Sequence, residues 1–223
     1  MKTLLTPLRL ALLAALVVVT VAGFILVPPG AMLPVHWGIS GAADAFWPKE
    51  LALLMPLVMA AIVWGVFLLL PRLAKSADLD AGRHPLGVVL TSLTVLALLI
   101  GAATVLIGVG VDVNMVQVLA VAIGVGMLVL GNAMPKSRPN SLAGLRIPST
   151  LHDPRNWQAT HRFTGMLVIG GGVLLLIVSL VAPVNALIWW LLACVLLPIA
   201  AGVVFSLSIA RQAEKHRHAG RRH

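Results

Sequence analysis

The chain has 223 residues, of which 60% are hydrophobic and only 10% are charged, whereas soluble domains carry roughly 25% charged residues. This composition excludes a soluble globular domain and predicts an integral membrane protein. The formal net charge of +9 does not indicate nucleic-acid binding, because no basic patch is interleaved with aromatic residues. The basic residues instead stand beside the ends of apolar runs, where they set topology and meet anionic lipid headgroups.

Six apolar runs are long enough to cross a bilayer as helices, each of which needs about 20 residues. We predict an all-α integral membrane protein, a six-transmembrane-helix bundle that forms a single domain. The first run follows Lys2 and Arg9 and is longer than the usual apolar region of a signal peptide, so we expect an uncleaved helix. The predicted spans are residues 8–27, 51–70, 86–109, 115–132, 163–182 and 186–209.

The connections between the first four spans differ in length. Prolines end the first helix, because proline lacks the N–H that a continuing helix would use. An outer loop, residues 28–50, leads to Pro48, which suits the first turn of the second helix. Residues 71–85 are predicted to form a polar hinge, and Asp112 and Asn114 mark a very short turn.

The inner signature loop, residues 131–165, is the long polar stretch between the fourth and fifth spans. Its spaced prolines and Trp157 argue against a disordered linker. Asp153 followed by Pro154 predicts a helix start, an N-cap carboxylate before proline. On that helix Trp157 and His161 share a face. The aromatic-belt and charge rules favour plain interfacial anchoring for this tryptophan and the neighbouring arginines.

The distribution of charge predicts an orientation. In a six-span chain, 15 of the 16 Lys and Arg residues fall on one side, and only Lys49 falls on the other. The positive-inside rule makes the basic side cytoplasmic, so both termini and the inner signature loop are predicted to be cytoplasmic.

The spans themselves carry little chemistry. No charged residue or histidine lies in the middle of a span, which counts against a proton-coupled pump or a channel with a charged lining. Glycines of the fourth and fifth spans predict close helix approach. They stand at positions 124, 126, 131, 165 and 170–172.

No catalytic motif stands out, since the chain has neither a Gly-rich phosphate loop nor a serine nucleophile elbow. His36 and Asp44 could share a cation, but two ligands from one loop are weak evidence. We expect instead that His36 is hydrogen-bonded within its loop. Cys194 is the only cysteine, so an intrachain disulfide is impossible. We predict no catalytic residue, no metal and no cofactor.

The two loops together resemble those of the SdpI family, the immunity proteins against a sporulation-delaying toxin. The outer loop matches its amino-terminal module through a proline followed by His36, Trp37, Gly41, Asp44 and Lys49. The inner loop matches its second signature through Gly131, Asn132, Pro135, Lys136, Pro139, Asn140, Gly144, Arg146, Pro148, Thr150, Leu151, Trp157, Thr160, His161, Arg162 and Gly165. One departure is that Arg146 is followed by Ile-Pro-Ser-Thr, where the family has Thr-Pro-Trp-Thr.

The resemblance implies a multi-pass protein of the bacterial cytoplasmic (inner) membrane that gives immunity to a secreted toxic peptide. It also implies signalling by holding a cytoplasmic repressor at the membrane. The candidate residues for binding a ligand or partner follow from the two loops. They are Asn132, Lys136, Arg138, Asn140, Arg146, Thr150, Trp157 and His161 inside, and His36, Trp37, Gly41, Asp44 and Lys49 outside.

Within these sets, Arg146 is expected to be the central residue of the inner loop, since it lies in its most apolar part and presents a rigid fork of donors. His36, Asp44 and Lys49 are expected to hold a compact lid over the outer helix ends.

Two other functions remain open. The chain could be an accessory subunit of a larger membrane protein complex, which its packed, charge-free spans suggest. It could also be a membrane enzyme that acts on a lipid or isoprenoid, with Lys136, Arg138 and Arg146 on an anionic headgroup and His161 as acid or base. Membrane lipids are expected partners in every case.

Overall fold

A computed structural model describes residues 5–220 of the chain, with side chains to residue 215. Lys2, Arg221 and Arg222, which entered the orientation argument, lie outside the described residues. Six helices of the described chain are long and apolar enough to cross a membrane, which confirms an all-α, six-helix membrane protein. They are α1 (Pro7–Leu26), α2 (Lys49–Leu73), α3 (Ser76–Gly108), α4 (Met115–Ala133), α6 (Pro154–Val181) and α7 (Val184–Gly220). A single turn, α5 (Pro148–Leu151), precedes α6.

The predicted polar hinge at 71–85 is wrong. Only Ala74 and Lys75 separate α2 from α3, and both Pro71 and Pro85 lie within helices. Most residues of this stretch are helix-compatible, and proline is tolerated in membrane helices where neighbouring groups satisfy the freed carbonyls. The two helices therefore extend beyond the apolar spans.

The outer loop is more regular than predicted, because it contains a two-stranded antiparallel hairpin of β1 (Met32–Trp37) and β2 (Ala43–Pro48). Leu33 pairs with Trp47, and the register shifts between Pro34 and His36. Gly41 closes the turn at φ +81°, a left-handed conformation that glycine adopts without steric cost. The bulge and the prolines break the alternation that would have indicated strands.

The hairpin lies across the ends of both halves of the bundle. Leu33 is buried in an apolar cluster with Val27, Leu53 and Val105, which belong to the α1–α3 half. Trp37 packs on a second cluster that includes Val116 of α4 and Leu187 of α7. We call this end of the bundle the hairpin end, and the opposite end, where the inner signature loop lies, the basic end.

Glycines bring α4 and α6 into backbone contact. A Cβ on Gly165 would lie 2.6 Å from the carbonyl oxygen of Gly131, and a Cβ on Gly172 would lie 2.8 Å from that of Gly124. The predicted close approach is therefore found for these four glycines and for Gly171, which lies against the Cys194 carbonyl. It is not found for Gly126 or Gly170, which face open space or loose contacts.

Arg9 does more than add a topological charge. Its guanidinium is buried between α1 and α3, where it donates to the carbonyl oxygen of Gly87 (2.7 Å) and to the hydroxyl of Thr91 (2.9 Å). These charge-assisted bonds hold the start of α1 on α3.

The orientation can be tested with single cysteines at Ser40 in the hairpin turn and Ser141 in the inner signature loop, both exposed positions. In a Cys194→Ala background, we expect an impermeant maleimide to label position 40 in intact cells and position 141 only after lysis, because the basic end should be cytoplasmic. Labelling of position 141 in intact cells would contradict the predicted orientation.

Candidate functional site at the two ends of the bundle

The centre of the inner signature loop is a stacked pair of rings. Trp157 and His161 lie one turn apart on α6, both fully buried, with ring centroids 4.0 Å apart and planes inclined by 18°. The Trp157 indole N–H faces the carbonyl oxygen (3.2 Å) and the hydroxyl (3.3 Å) of Ser137. The interpretation of Trp157 as an interfacial anchor is therefore wrong, because the loop folds over it.

Both ring nitrogens of His161 are engaged by backbone. The Leu145 N–H donates to Nε2 (3.0 Å), so Nε2 carries no proton, and Nδ1 donates to the carbonyl oxygen of Trp157 (2.8 Å). This arrangement requires the neutral Nδ1–H tautomer. A ring with no exposed nitrogen does not suit the acid or base of the proposed lipid enzyme.

Gly144 permits this contact. Its φ of +111° is a left-handed conformation, and a Cβ there would overlap Nε2 of His161 and lie 3.3 Å from the Trp157 ring. Any side chain at this position would therefore meet both backbone strain and the stacked pair.

Two buried polar side chains shape the loop on either side of Gly144. Asn140 accepts from the N–H groups of Leu142 (2.9 Å) and Ala143 (2.8 Å) and donates to the Arg138 carbonyl (2.7 Å). The Thr150 hydroxyl accepts from the Ile147 N–H (3.2 Å) and lies 2.6 Å from the Leu145 carbonyl oxygen. Side-chain bonds of this kind define a backbone path without helix or sheet.

A second buried network was not predicted. The Asn156 amide donates to the carbonyl of Ser206 on α7 (3.0 Å) and accepts from the hydroxyls of Ser206 (3.0 Å) and Thr160 (2.8 Å). Ser149 of α5 adds a contact of 2.8 Å with the Ser206 hydroxyl. Asn156 and Ser137 adjoin predicted residues in sequence, which is the only signal that could have indicated them.

The remaining predicted residues of the inner loop are exposed. Arg146 donates to the Ser141 carbonyl, and Ser141 in turn donates to Asp78 of α3 (2.6 Å). These exposed residues are Asn132, Lys136, Arg138 and Arg146. Within residues 5–215, no carboxylate lies within ion-pair distance of the three cations Lys136, Arg138 and Arg146.

At the hairpin end, His36 and Asp44 meet across the two strands, with Nδ1 and Oδ1 2.5 Å apart and both side chains largely exposed. Lys49 is buried at the start of α2, where its ammonium donates to the Val27 carbonyl (2.8 Å) and lies 3.4 Å from that of Phe24. It thus satisfies carbonyls at the end of α1, as basic side chains do at helix C-termini. No three potential ligands of the described chain are placed to hold a metal ion.

Two regions of the chain match models of known protein families. Residues 10–60, which include most of α1 and the hairpin, match the family model described as Domain of unknown function (DUF1648). Residues 136–208 match the model described as the SdpI/YfhL protein family. Searches of curated proteins and of solved structures found no significant match. The match over residues 136–208 confirms the predicted resemblance to the SdpI family.

Proposed function

We propose that the chain is a bacterial inner-membrane protein of the immunity type, which protects against or senses a secreted toxic peptide at the hairpin end. Its inner signature loop would hold a cytoplasmic partner, such as a repressor. The observation that carries this proposal is the construction of the loop. Its buried polar groups are used internally, whereas its cationic side chains are exposed and have no carboxylate partner among the described residues.

A topological signal would not need such a loop, because the positive-inside rule depends on the number of basic residues rather than on their positions. Here Asn140, Thr150 and His161 fix the backbone that carries Arg138 and Arg146. A fixed guanidinium binds carboxylates with defined geometry and loses less conformational entropy on binding. The loop therefore suits an acidic surface of a cytoplasmic protein.

The hairpin supports the sensing half of the proposal. It presents Met32, Ile39, Phe46 and Trp47 as exposed apolar side chains beside the exposed His36 and Asp44 pair. A two-stranded sheet also leaves backbone groups free along its edges, and an extended peptide can pair with such an edge. These features suit a peptide that approaches from outside the bundle.

Arg146 provides the test. We expect Arg146→Ala and Arg146→Lys to insert at normal levels, because the side chain is exposed, yet to lose function. A charge-assisted hydrogen bond contributes about 1.5–3 kcal/mol, so toxin sensitivity should rise by about tenfold or more. Lysine carries its donors on a single nitrogen, so it lacks the planar fork in which one nitrogen holds Ser141 while another reaches a partner. Survival is measured in a sensitive strain that expresses each variant and is exposed to the secreted peptide fraction of a producing strain.

Arg155→Ala is the matched control, since this arginine is also exposed at the basic end but lies in the first turn of α6, after the non-helical part of the inner signature loop. It should protect as the unmodified chain does. Full protection by Arg146→Lys would reduce Arg146 to a topological charge and remove the support for a specific site.

A further inference from the structure

A partly open cavity of about 340 Å³ lies beneath the hairpin, between the two halves of the bundle. α2 and α3 form one wall, α4 and α7 form the other, and β1 covers the end. Its lining includes Trp37, Met55, Met59, Met115, Leu119 and Ile188.

The cavity is unsuited to water. Its lining is almost entirely apolar, and the hydroxyl of Thr104 is bonded to the Ile100 carbonyl (2.8 Å) within α3. Ordered water in a protein needs two to four polar partners. On the β1 side the lining includes His36 and Trp37, and neither Nε2 of His36 nor Nε1 of Trp37 has a partner within the described chain.

The lining also favours a flexible occupant. Met55, Met59 and Met115 come from two different helices on opposite walls. Methionine side chains are unbranched and polarizable, so they adapt to a ligand that lacks a rigid shape. Ligand cavities of this size typically combine an apolar body with a few polar groups that fix orientation.

We propose that the cavity binds one hydrocarbon chain of an amphiphile from the leaflet at the hairpin end. The chain lies between the two walls, and the polar head lies at His36 and Trp37. An occupant in this position contacts α2 and α7 together and so joins the halves of the bundle. This inference does not rest on the proposed function, although both place a ligand beside His36.

Photolabelling tests the proposal. The protein is reconstituted in phosphatidylethanolamine vesicles, in one arm with a phospholipid that carries a diazirine in its acyl chain, and in a second arm with a free diazirine fatty acid. We expect labels at Met55, Leu119 and Ile188 to exceed those at the outward-facing Leu54 and Leu197 by about tenfold. Enrichment in either arm supports the site and identifies the source of the chain, whereas even labelling overturns it.

Variants of α7 give the matched control. Ile188→Trp should fill the cavity and lower the enrichment by about tenfold, whereas Leu197→Trp on the lipid-facing side of the same helix should not. If Ile188→Trp does not fold, excess unlabelled palmitic acid replaces it and must reduce cavity labels but not lipid-facing labels. Enrichment that resists both treatments contradicts the proposal. A third arm uses an apolar peptide that contains photo-leucine. Labelling of the cavity by this peptide, without labelling by the phospholipid or the fatty acid, would also contradict the proposal.

Discussion

Gly165→Ala is expected to destabilise the contact between α4 and α6, although alanine is the better helix former. The new Cβ would lie 2.6 Å from the carbonyl oxygen of Gly131, and neither backbone can move without shifting a whole helix. Overpacking typically costs about 1–3 kcal/mol, more than the roughly 0.5–1 kcal/mol that alanine gains over glycine in a helix. The apparent melting temperature in mild detergent should therefore fall.

Gly170→Ala is the matched control, because it makes the same substitution in the same helix with no atom within 4 Å of the new Cβ. It should leave the melting temperature unchanged or raise it slightly. Equal melting temperatures for the two variants would show that α4 and α6 do not approach as closely as the structure has them.

The effect should extend beyond one residue, because the same contact recurs one heptad away. Gly172 and Gly124 meet on the antiparallel helices two turns from Gly165 and Gly131. Small residues at such a crossing let helices gain van der Waals contact along their length, which drives association in a bilayer. A displacement of α6 from α4 at Gly165 would therefore weaken the contact between Gly172 and Gly124 as well.

The predictable parts of the fold depend on local sequence. The length of each apolar run predicts a membrane span. Asp153 caps α6 as its sequence predicted, accepting from the Arg155 N–H at 2.8 Å. The glycine pattern indicated close packing, but it could not distinguish Gly165 from Gly170. That distinction depends on which face of α6 meets α4, and helices that are almost wholly apolar offer little amphipathic signal.

The unpredicted parts depend on contacts between residues far apart in sequence. Ser206 lies in the sixth span, 50 residues from Asn156, and nothing near it indicates a partner. The burial of Trp157 has the same origin, because helical spacing places it beside His161 but does not show that residues 137–145 cover the pair. In the hairpin, Leu33 is anchored by one apolar cluster with side chains from three helices, and an isolated two-stranded sheet would be marginal without it.

Gly144→Ala is expected to open the inner signature loop. At φ +111°, an alanine would experience left-handed strain of about 1–2 kcal/mol, and its Cβ would also overlap the His161 ring. Displacing the ring breaks the bond from the Leu145 N–H and the stack with Trp157. Because Arg146 is an exposed loop site for trypsin, the cleavage rate of the detergent-solubilised protein should increase by about tenfold or more.

Two comparisons separate strain from overlap at Gly144. Gly110→Ala places alanine at φ +88° with no atom within 4 Å, so it should show strain alone and leave cleavage of the inner loop unchanged. In a His161→Ala background the ring is absent, and Gly144→Ala should then increase cleavage less than it does alone, a coupling of about 1 kcal/mol or more. Equal effects of Gly144→Ala in the two backgrounds would mean that the loop is not held on the His161 ring, and the fixed basic surface proposed for partner binding would lose its structural basis.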